Sequence, residues 1–496
     1  MRTQKLLALF LALLMTSSCV IGCGQGATEE TTATNPDTTA AQTETETEEE
    51  TKVSDDLPES DFEGYTFTIF NSNPESNNWF TTVHVTAAED SGDSIPSAIF
   101  NRNLAVEDRL NIHIVETEQT VDQIKNTTIA GDGSFDMSLM QGSAVLSQAQ
   151  SGYLMDLHTM PYQNLEKPYW DHNAVEQLSI GGKLYMGVGD FLTTQIDETC
   201  CMYFNKALII NHNLEDPYDL VHSGKWTLDK LTEMATVSGN DVDGNGTFDD
   251  NDDYGLMSWR GVFYMFLLNG CGYTLTEKDS DDIPQFTFYN EGFVNAYEKI
   301  LAMVHGDERV YYDAEMKKNT RGLATDHRVQ EIMFPAEQVM FWVECISWAK
   351  ALRDMEANFG IVPAPKYNEE QTQYYSCNNG NFFGMAIPVS VSDVDRTSIV
   401  LEALQSASTD TVLAAYYDIT LKSKLTRDEE SASMVDIIFD TTTYDCSTVY
   451  GLGNVKTNIY TKASQNDTDL ASFWEKQQSS LDTTIQKIVD NFAKLG

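Results

Sequence analysis

The sequence predicts an α/β fold with a largely parallel sheet, because short apolar strands alternate with segments of helical period along most of the chain. Tyr65-Thr66-Phe67-Thr68-Ile69-Phe70 alternates apolar and polar residues, the period of two that marks a strand. Ser97 to Leu110 follows as a helix with Ile99, Val106 and Leu110 on one stripe, and Ile112-His113-Ile114-Val115 returns to a strand. Phe135 to Met140 supplies a third strand, and the helix after it stops at Gly152. A second series begins after Gly189. It contains the strand Met202-Tyr203-Phe204, a helix from Leu228, a helix with Val294, Tyr297, Leu301 and Val304 in register, and the apolar run Val339 to Val343. The last helix, from about Asp469 to Lys494, places Leu481, Ile485, Ile488 and Phe492 on one face. No internal repeat accompanies these elements.

Composition bounds the function. The 496 residues are 41% apolar and 10% aromatic, enough for two or three domains and incompatible with disorder throughout. Lys plus Arg number 31 against 76 Asp plus Glu, for a formal charge of −45. Nucleic-acid binding, which needs cations to neutralise phosphates, is excluded as a class, as is charge-driven adhesion to anionic lipid. The acid is spread along the chain, as expected of a solvated surface on an exported protein.

Residues 1–22 read as an export signal: Arg2 and Lys5 precede the apolar run Leu6 to Met15, too short to span a bilayer as a mature helix. The signal ends in Val20-Ile21-Gly22-Cys23, which resembles a bacterial lipoprotein cleavage box and implies lipid on Cys23. Cys19 is a poorer match to that box. Residues 23–60 are rich in Thr and Glu, hold few apolar side chains to offset ordering, and read as an extended stalk. Six cysteines remain after Cys23. They can pair in fifteen ways, and with no CxxC and no Cys/His zinc spacing the sequence favours none of them over buried thiols.

Several short motifs occur in an order that points further. Tyr169-Trp170-Asp171, Gly181-Gly182-Lys183-Leu184-Tyr185, Phe204-Asn205-Lys206, Gly224-Lys225-Trp226-Thr227, and Asp354-Met355-Glu356 with Phe359-Gly360-Ile361-Val362-Pro363 lie in sequence from Phe62 onwards. In that order, behind a lipoprotein signal, the chain resembles the extracellular solute-binding proteins of ABC importers, the group that includes maltodextrin-binding proteins. The resemblance implies a two-lobe periplasmic-binding-protein-like fold of type II, with solute in the cleft between lobes joined by a multi-segment hinge. It implies crossings near Met186 to Asp190, Pro363 to Tyr367 and Ala414 to Leu421. One lobe would hold 62–188 and 366–415, and the other 189–362 and 416–496. The implied partners are a carbohydrate solute and ABC transporter permease subunits, with the membrane reached through the N-terminal lipid.

The sharpest motif is Asp241-Val242-Asp243-Gly244-Asn245-Gly246-Thr247-Phe248-Asp249-Asp250-Asn251-Asp252. It fits a calcium loop of the EF type, with side-chain oxygens from Asp241, Asp243, Asn245 and Asp249, the carbonyl of Thr247, and a carboxylate at Asp252. Position 12 is Asp where Glu is usual, so Asp252 would coordinate through one oxygen or share the task with Asp253. The expected ion is Ca2+ in a structural role, and the alternative is an acidic turn without metal.

Sugars present apolar C–H faces that stack on rings, and hydroxyls that pair with carboxylates and amides. Trp79 in a polar loop, Trp170 with Asp171, Trp259 with Arg260, and Trp342 with Glu344 are therefore the candidate ligand-binding pairs. Glu198 joins them, matching by order a carboxylate that maltodextrin binders turn on sugar hydroxyls. Trp226 reads as structural, stapling the helix that Thr227 caps, and Trp348 and Trp474 read as core. No catalytic signature appears: GxSxG, HExxH, GxxxxGK[ST] and GxGxxG are all absent from the sequence. The expected function is a non-enzymatic receptor that binds an oligosaccharide for import. A secreted glycoside hydrolase is the rival class, and a solute sensor or peptide receptor would share the fold.

Overall fold

The computed structural model describes residues 53–73, 84–88, 94–314, 327–350, 352, 355, 358–417 and 429–495. Trp79, Cys23, most of the stalk, the export signal and part of the third expected crossing lie outside the described residues. From Asp55 onward the chain forms one contact unit.

Thirteen strands occur among the described residues: β1 (Tyr65–Asn71), β2 (Ile112–Glu118), β3 (Met137–Gln141), β4 (Cys200–Asn205), β5 (Tyr254–Ser258), β6 (Thr276–Lys278), β7 (Pro284–Phe286), β8 (Tyr311–Asp313), β9 (Val339–Cys345), β10 (Phe359–Val362), β11 (Ser376–Cys377), β12 (Phe383–Ala386) and β13 (Thr442–Thr443). One sheet has the order β12-β3-β1-β2 and the other β10-β4-β9-β5-β8. In the first, β1 runs parallel to β2 and β3. In the second, β5 runs parallel to β8 and β9. The sheets are mixed rather than largely parallel, because β12 is antiparallel to β3 and β4 is antiparallel to both β9 and β10. Both β4 and β12 are reached by crossing segments between the sheets, and a right-handed helical crossover governs only strands that follow one another within a sheet.

Patterning explains the layers. In β2, Ile112 and Ile114 are buried while His113 and Val115 face solvent, as a half-covered edge strand requires. Strands β4 and β9 are buried along their full length, so they read as continuous apolar runs with helices on both faces. The core of the second sheet accordingly divides in two. Trp226, Phe341 and Phe263 lie on one face, and Tyr203, Trp342 and Phe334 on the other. Trp226 has the structural role expected of it. Its indole N–H donates to Pro363 O at 3.0 Å, and Thr227 caps the helix Leu228–Ser238 through Lys230 N.

The chain leaves the first sheet through residues 186–190, where Gly187 bridges Met385 and Gly189 bridges Trp170. Gly189 must be glycine: a Cβ there would meet Tyr169 O at 2.5 Å and Gln405 Oε1 at 2.7 Å. The return runs through Lys366, bonded on both sides to the 226–228 turn, and then through β11, which pairs with β13. The C-terminal helix Leu470–Lys494, expected in the second lobe, touches the surroundings of both sheets. Trp474 packs on Phe288, while Phe492 packs on Tyr185 and Asn491 bonds to Gln150 in the helix after β3. Its twenty-five residues are long enough, at 1.5 Å each, to bridge the two sheets' surroundings. Among the described residues no helix is long and apolar enough to cross a membrane.

Candidate functional site

The ends of β5, β8 and β9 and the start of β4 lie at one edge of the second sheet, where Thr199 bridges Asn378 in the loop before β12. The short helix Thr194–Asp197 leads into Glu198 and β4. Its residues bind the opposite sheet's loop: Thr194 Oγ1 donates to Phe383 O at 3.0 Å, and Asn378 Nδ2 donates to Gln195 O at 2.8 Å. At the centre, Asn379 Nδ2 donates to Glu198 Oε2 at 2.5 Å, and the Asn379 backbone N–H donates to Glu198 O at 3.0 Å. Lys456 Nζ donates to Asn379 O at 2.5 Å, bringing one cation to the cluster.

Two carboxylates share this place. Glu198 is buried, and loss of water pushes its carboxyl up to about 7; the Asn379 bond opposes that rise and the charge of Asp197 adds to it. Glu344, at the end of β9, is pushed up to about 8, again chiefly by burial, with the Cys345 backbone N–H opposing and the Glu198 charge adding. Cys345 lies between them, donating its thiol toward Glu198 Oε2 at 3.8 Å while its backbone N–H reaches Glu344 Oε1 at 3.1 Å. Asp197 accepts from Tyr416 OH at 2.6 Å. The arrangement offers carboxylates and amides that can exchange their mutual bonds for a ligand's hydroxyls. The adjoining cavity, lined in part by Cys200, Cys377, Asn379, Lys456 and Tyr273, measures about 20 Å³, room for about one water.

The structure brings together Glu198 and Glu344 and places Trp259 nearby in the fold, half-buried at the end of β5. Next to it, the Arg260 guanidinium lies 5.8 Å from the Tyr460 ring centre. Two expected platforms are corrected. Trp342 is 0% exposed, wedged among Tyr203, Phe334 and Trp348, because every residue of β9 is covered on both faces. Trp170 is 1% exposed, and its indole N–H donates to the buried Glu402 at 3.1 Å, so it props the crossing segment instead of a solute. Asp171 is likewise occupied: it caps the helix His172–Leu178 through Ala174 N and accepts from Tyr444 OH at 2.8 Å. Trp348 is half-buried, edge-on to Trp342.

Sequence reasoning missed Asn379, Lys456 and Gln195. The one available signal was the amide-rich stretch Asn378-Asn379-Gly380-Asn381, standing just before a strand.

The 241–252 loop turns back on the side chain of Asp241. Gly244 and Gly246 have positive φ, and their N–H groups donate to the two oxygens of Asp241 at 2.8 and 2.9 Å. Carboxylate oxygens of Asp241, Asp243 and Asp252 lie within 4.8 Å of one another. Asp252 is buried and accepts from Val242 N and Asp249 N, which turns it inward. Asn245 and Thr247 are exposed, with Asn245 Nδ2 on Asp243, and Asp249 accepts from Asn251 N. The donor set, carboxylates with amide and carbonyl oxygens, suits a hard cation.

No protein-family model and no curated protein matches the sequence. Solved structures do match the fold. UspC of M. tuberculosis superposes with a TM-score of 0.56 at 14% identity, over 84% of this chain and 100% of that one. A cyclo/maltodextrin-binding protein complexed with maltotetraose gives 0.52 at 14% identity, over 86% and 96%. UgpB from Mycobacterium tuberculosis, in complex with glycerophosphocholine, gives 0.51 at 15% identity, over 79% and 95%. With its two mixed sheets and the segments that cross between them, the chain has the two-lobe α/β fold of the maltodextrin-binding type of ABC-importer solute-binding proteins.

Proposed function

We propose that this protein is an extracytoplasmic receptor that closes its lobes around a carbohydrate, an oligosaccharide, and delivers it to the permease subunits of an ABC transporter. The observation that carries the reading is the Glu198–Asn379–Glu344 cluster, set at strand ends where the loop before β12 meets the start of β4, in a fold shared with a cyclo/maltodextrin-binding protein complexed with maltotetraose. Carboxylates and amides supply the paired acceptors and donors that hydroxyls need. A cavity of about 20 Å³ cannot hold a sugar ring, so entry requires the lobes to part and close again. Trp259, and Trp79 beyond the described residues, are the proposed stacking rings. A thermal-shift screen of the mature protein against sugars, polyols and peptides tests the substrate class, because a tight ligand raises the melting temperature by mass action.

The protein acts as a receptor and not as an enzyme on this reading. Glu198 and Glu344 could be mistaken for a hydrolase pair, but both are enclosed and committed to protein donors, Asn379 Nδ2 and the Cys345 N–H. Lipid on Cys23 would tether the fold outside the membrane, with residues 24–60 as spacer. The loop Asp241 to Asp252 would hold Ca2+ through Asp241, Asp243, Asn245, the Thr247 carbonyl, Asp249 and Asp252, fixing a surface segment. Membrane fractionation tests the tether: Cys23→Ala should release the protein into the soluble fraction, and retention on the membrane would contradict it.

A further inference from the structure

Three of the six cysteines converge at the edge of the site just described. Cys200 opens β4 and Cys345 closes β9, and the two are register partners across the antiparallel pair. The ladder bond next to them runs from Ile346 N to Thr199 O. That makes Thr199 and Ile346 the hydrogen-bonded pair, and Cys200 with Cys345 the neighbouring non-hydrogen-bonded pair, in which backbones approach most closely. Such pairs hold their Cα atoms about 4.5 Å apart, inside the roughly 4.4–6.8 Å range that a disulfide accepts. Both side chains point to the same face of the sheet, into the same apolar cluster, while the adjacent Cys201 faces the other side. Cys377 of β11 reaches the same spot: the Cys200 thiol interacts with the thiols of both Cys345 and Cys377.

We propose that Cys200 and Cys345, free thiols in this structure, form a cross-strand disulfide when the exported chain folds in an oxidising medium, with the Cys345 donation to Glu198 given up and Cys377 left as a free thiol beside it. The alternative bond, Cys200 to Cys377, would join β4 to a two-residue strand that is not its register partner, so geometry favours Cys345. Timing follows from burial. In the finished fold Cys200 is 0% exposed, and its bonds to Cys345 and Cys377, together with burial, raise its thiol well above the usual value. A protonated, enclosed thiol is a poor nucleophile, so the bond forms before the strands close over it. The chemistry is two exchanges with an external small disulfide. One cysteine thiolate attacks it to give a mixed disulfide and releases one small thiol. The second cysteine thiolate then attacks the protein sulfur of that mixed disulfide and releases the other. The two protein thiols lose two electrons and two protons, and the small disulfide becomes two small thiols.

The test uses the full mature chain, denatured and reduced, then refolded with and without a mixture of oxidised and reduced glutathione. Non-reducing peptide mapping by mass spectrometry should find the Cys200 and Cys345 peptides linked, 2 Da below the sum of the reduced pair by loss of two hydrogens. The link should persist in Cys377→Ser, and it should raise the melting temperature by on the order of 5 °C over the reduced protein. Reduced protein that is already folded should take up the link far more slowly than refolding chains do. Free thiols at all three positions after oxidative refolding, or a dominant link from Cys200 to Cys377, would overturn the assignment. Serine in place of Cys345 guards against misfolding as the explanation: Cys345→Ser should fold without glutathione dependence, and a glutathione-dependent melting shift that survives in it would also count against the pair.

Discussion

The side chain of Asn379 donates to Glu198 at 2.5 Å, tying the loop that enters the first sheet to the residue that leads into the second. The backbone repeats the tie, Asn379 N to Glu198 O at 3.0 Å. A residue on each side of the crossing thus shares one buried bond, and a ligand that takes over the bond acts on both sheets at once. Removing one partner strands the other, and an unpaired buried carboxylate costs more than the bond itself contributes. Asn379→Ala should therefore lower stability by about 1–3 kcal/mol. It should also weaken solute binding, since it removes a donor from the cluster. Urea denaturation and calorimetry on the same variant measure the two effects.

The two carboxyls contribute to the pH response, alongside Glu402, raised to about 7, and Asp436, raised to about 6, both by burial. The usual value for a glutamate is 4.5, and in the fold Glu198 stands at about 7 and Glu344 at about 8. A raised carboxyl binds its proton more tightly folded than unfolded, so its stabilising contribution is complete below 4.5 and fades as pH climbs through the folded value. The melting temperature should carry a component that falls between pH 4.5 and about 8, and Glu344→Gln should make it shallower by fixing the neutral form at that residue, the Glu198 part remaining. Differential scanning calorimetry across that window decides; an unchanged slope in the variant would place the titration elsewhere.

Calcium should stabilise the 241–252 loop. An ion at a hundred times its dissociation constant adds about 2.7 kcal/mol to the folded state. Chelation should lower the melting temperature, and Asp241→Ala with Asp243→Ala should erase that sensitivity while leaving solute binding intact. Identical melting with chelator and with calcium would leave the loop an acidic turn.

Trp342→Ala should act as a core deletion. The ring is fully enclosed between Tyr203, Phe334 and Trp348, so its loss should cost about 3–5 kcal/mol of stability. Trp259→Ala, at a half-buried strand end, should leave stability nearly unchanged and weaken solute binding instead. Paired denaturation and binding curves for the two variants separate the roles.

The elements were legible where periodicity was strong. Ser94–Leu110, Leu228–Ser238, Glu291–Gly306 and Leu470–Lys494 are helices as their stripes predict, and the apolar run at Val339 is strand β9. Strand β4 was legible at Met202-Tyr203-Phe204, but its antiparallel direction was not, and β12 was missed, since strand direction depends on a chain crossing that leaves no local pattern. The site was legible only in its charges. Glu344 stands out as an acid at the end of an apolar run and Glu198 was reached through the family resemblance, whereas a tryptophan reads the same in sequence whether it faces a cleft or a core. Trp342 and Trp170 differ from Trp259 only in what packs over them, and that is decided by distant residues such as Phe334 and Glu402. Asn379 carried no signal of its own, because an asparagine before a strand is most often a turn residue.

The central claim is that the lobes close around an oligosaccharide without cleaving it. Calorimetric titration of the mature protein with a panel of neutral oligosaccharides, the glycan recovered afterwards and sized by chromatography, tests it most directly. Saturable heat at one site is expected for at least one glycan, weakened more than tenfold in Trp259→Ala or Asn379→Ala, with the glycan recovered intact. Silence from every glycan while a peptide or an ion binds, or recovery of shortened glycan, would contradict it.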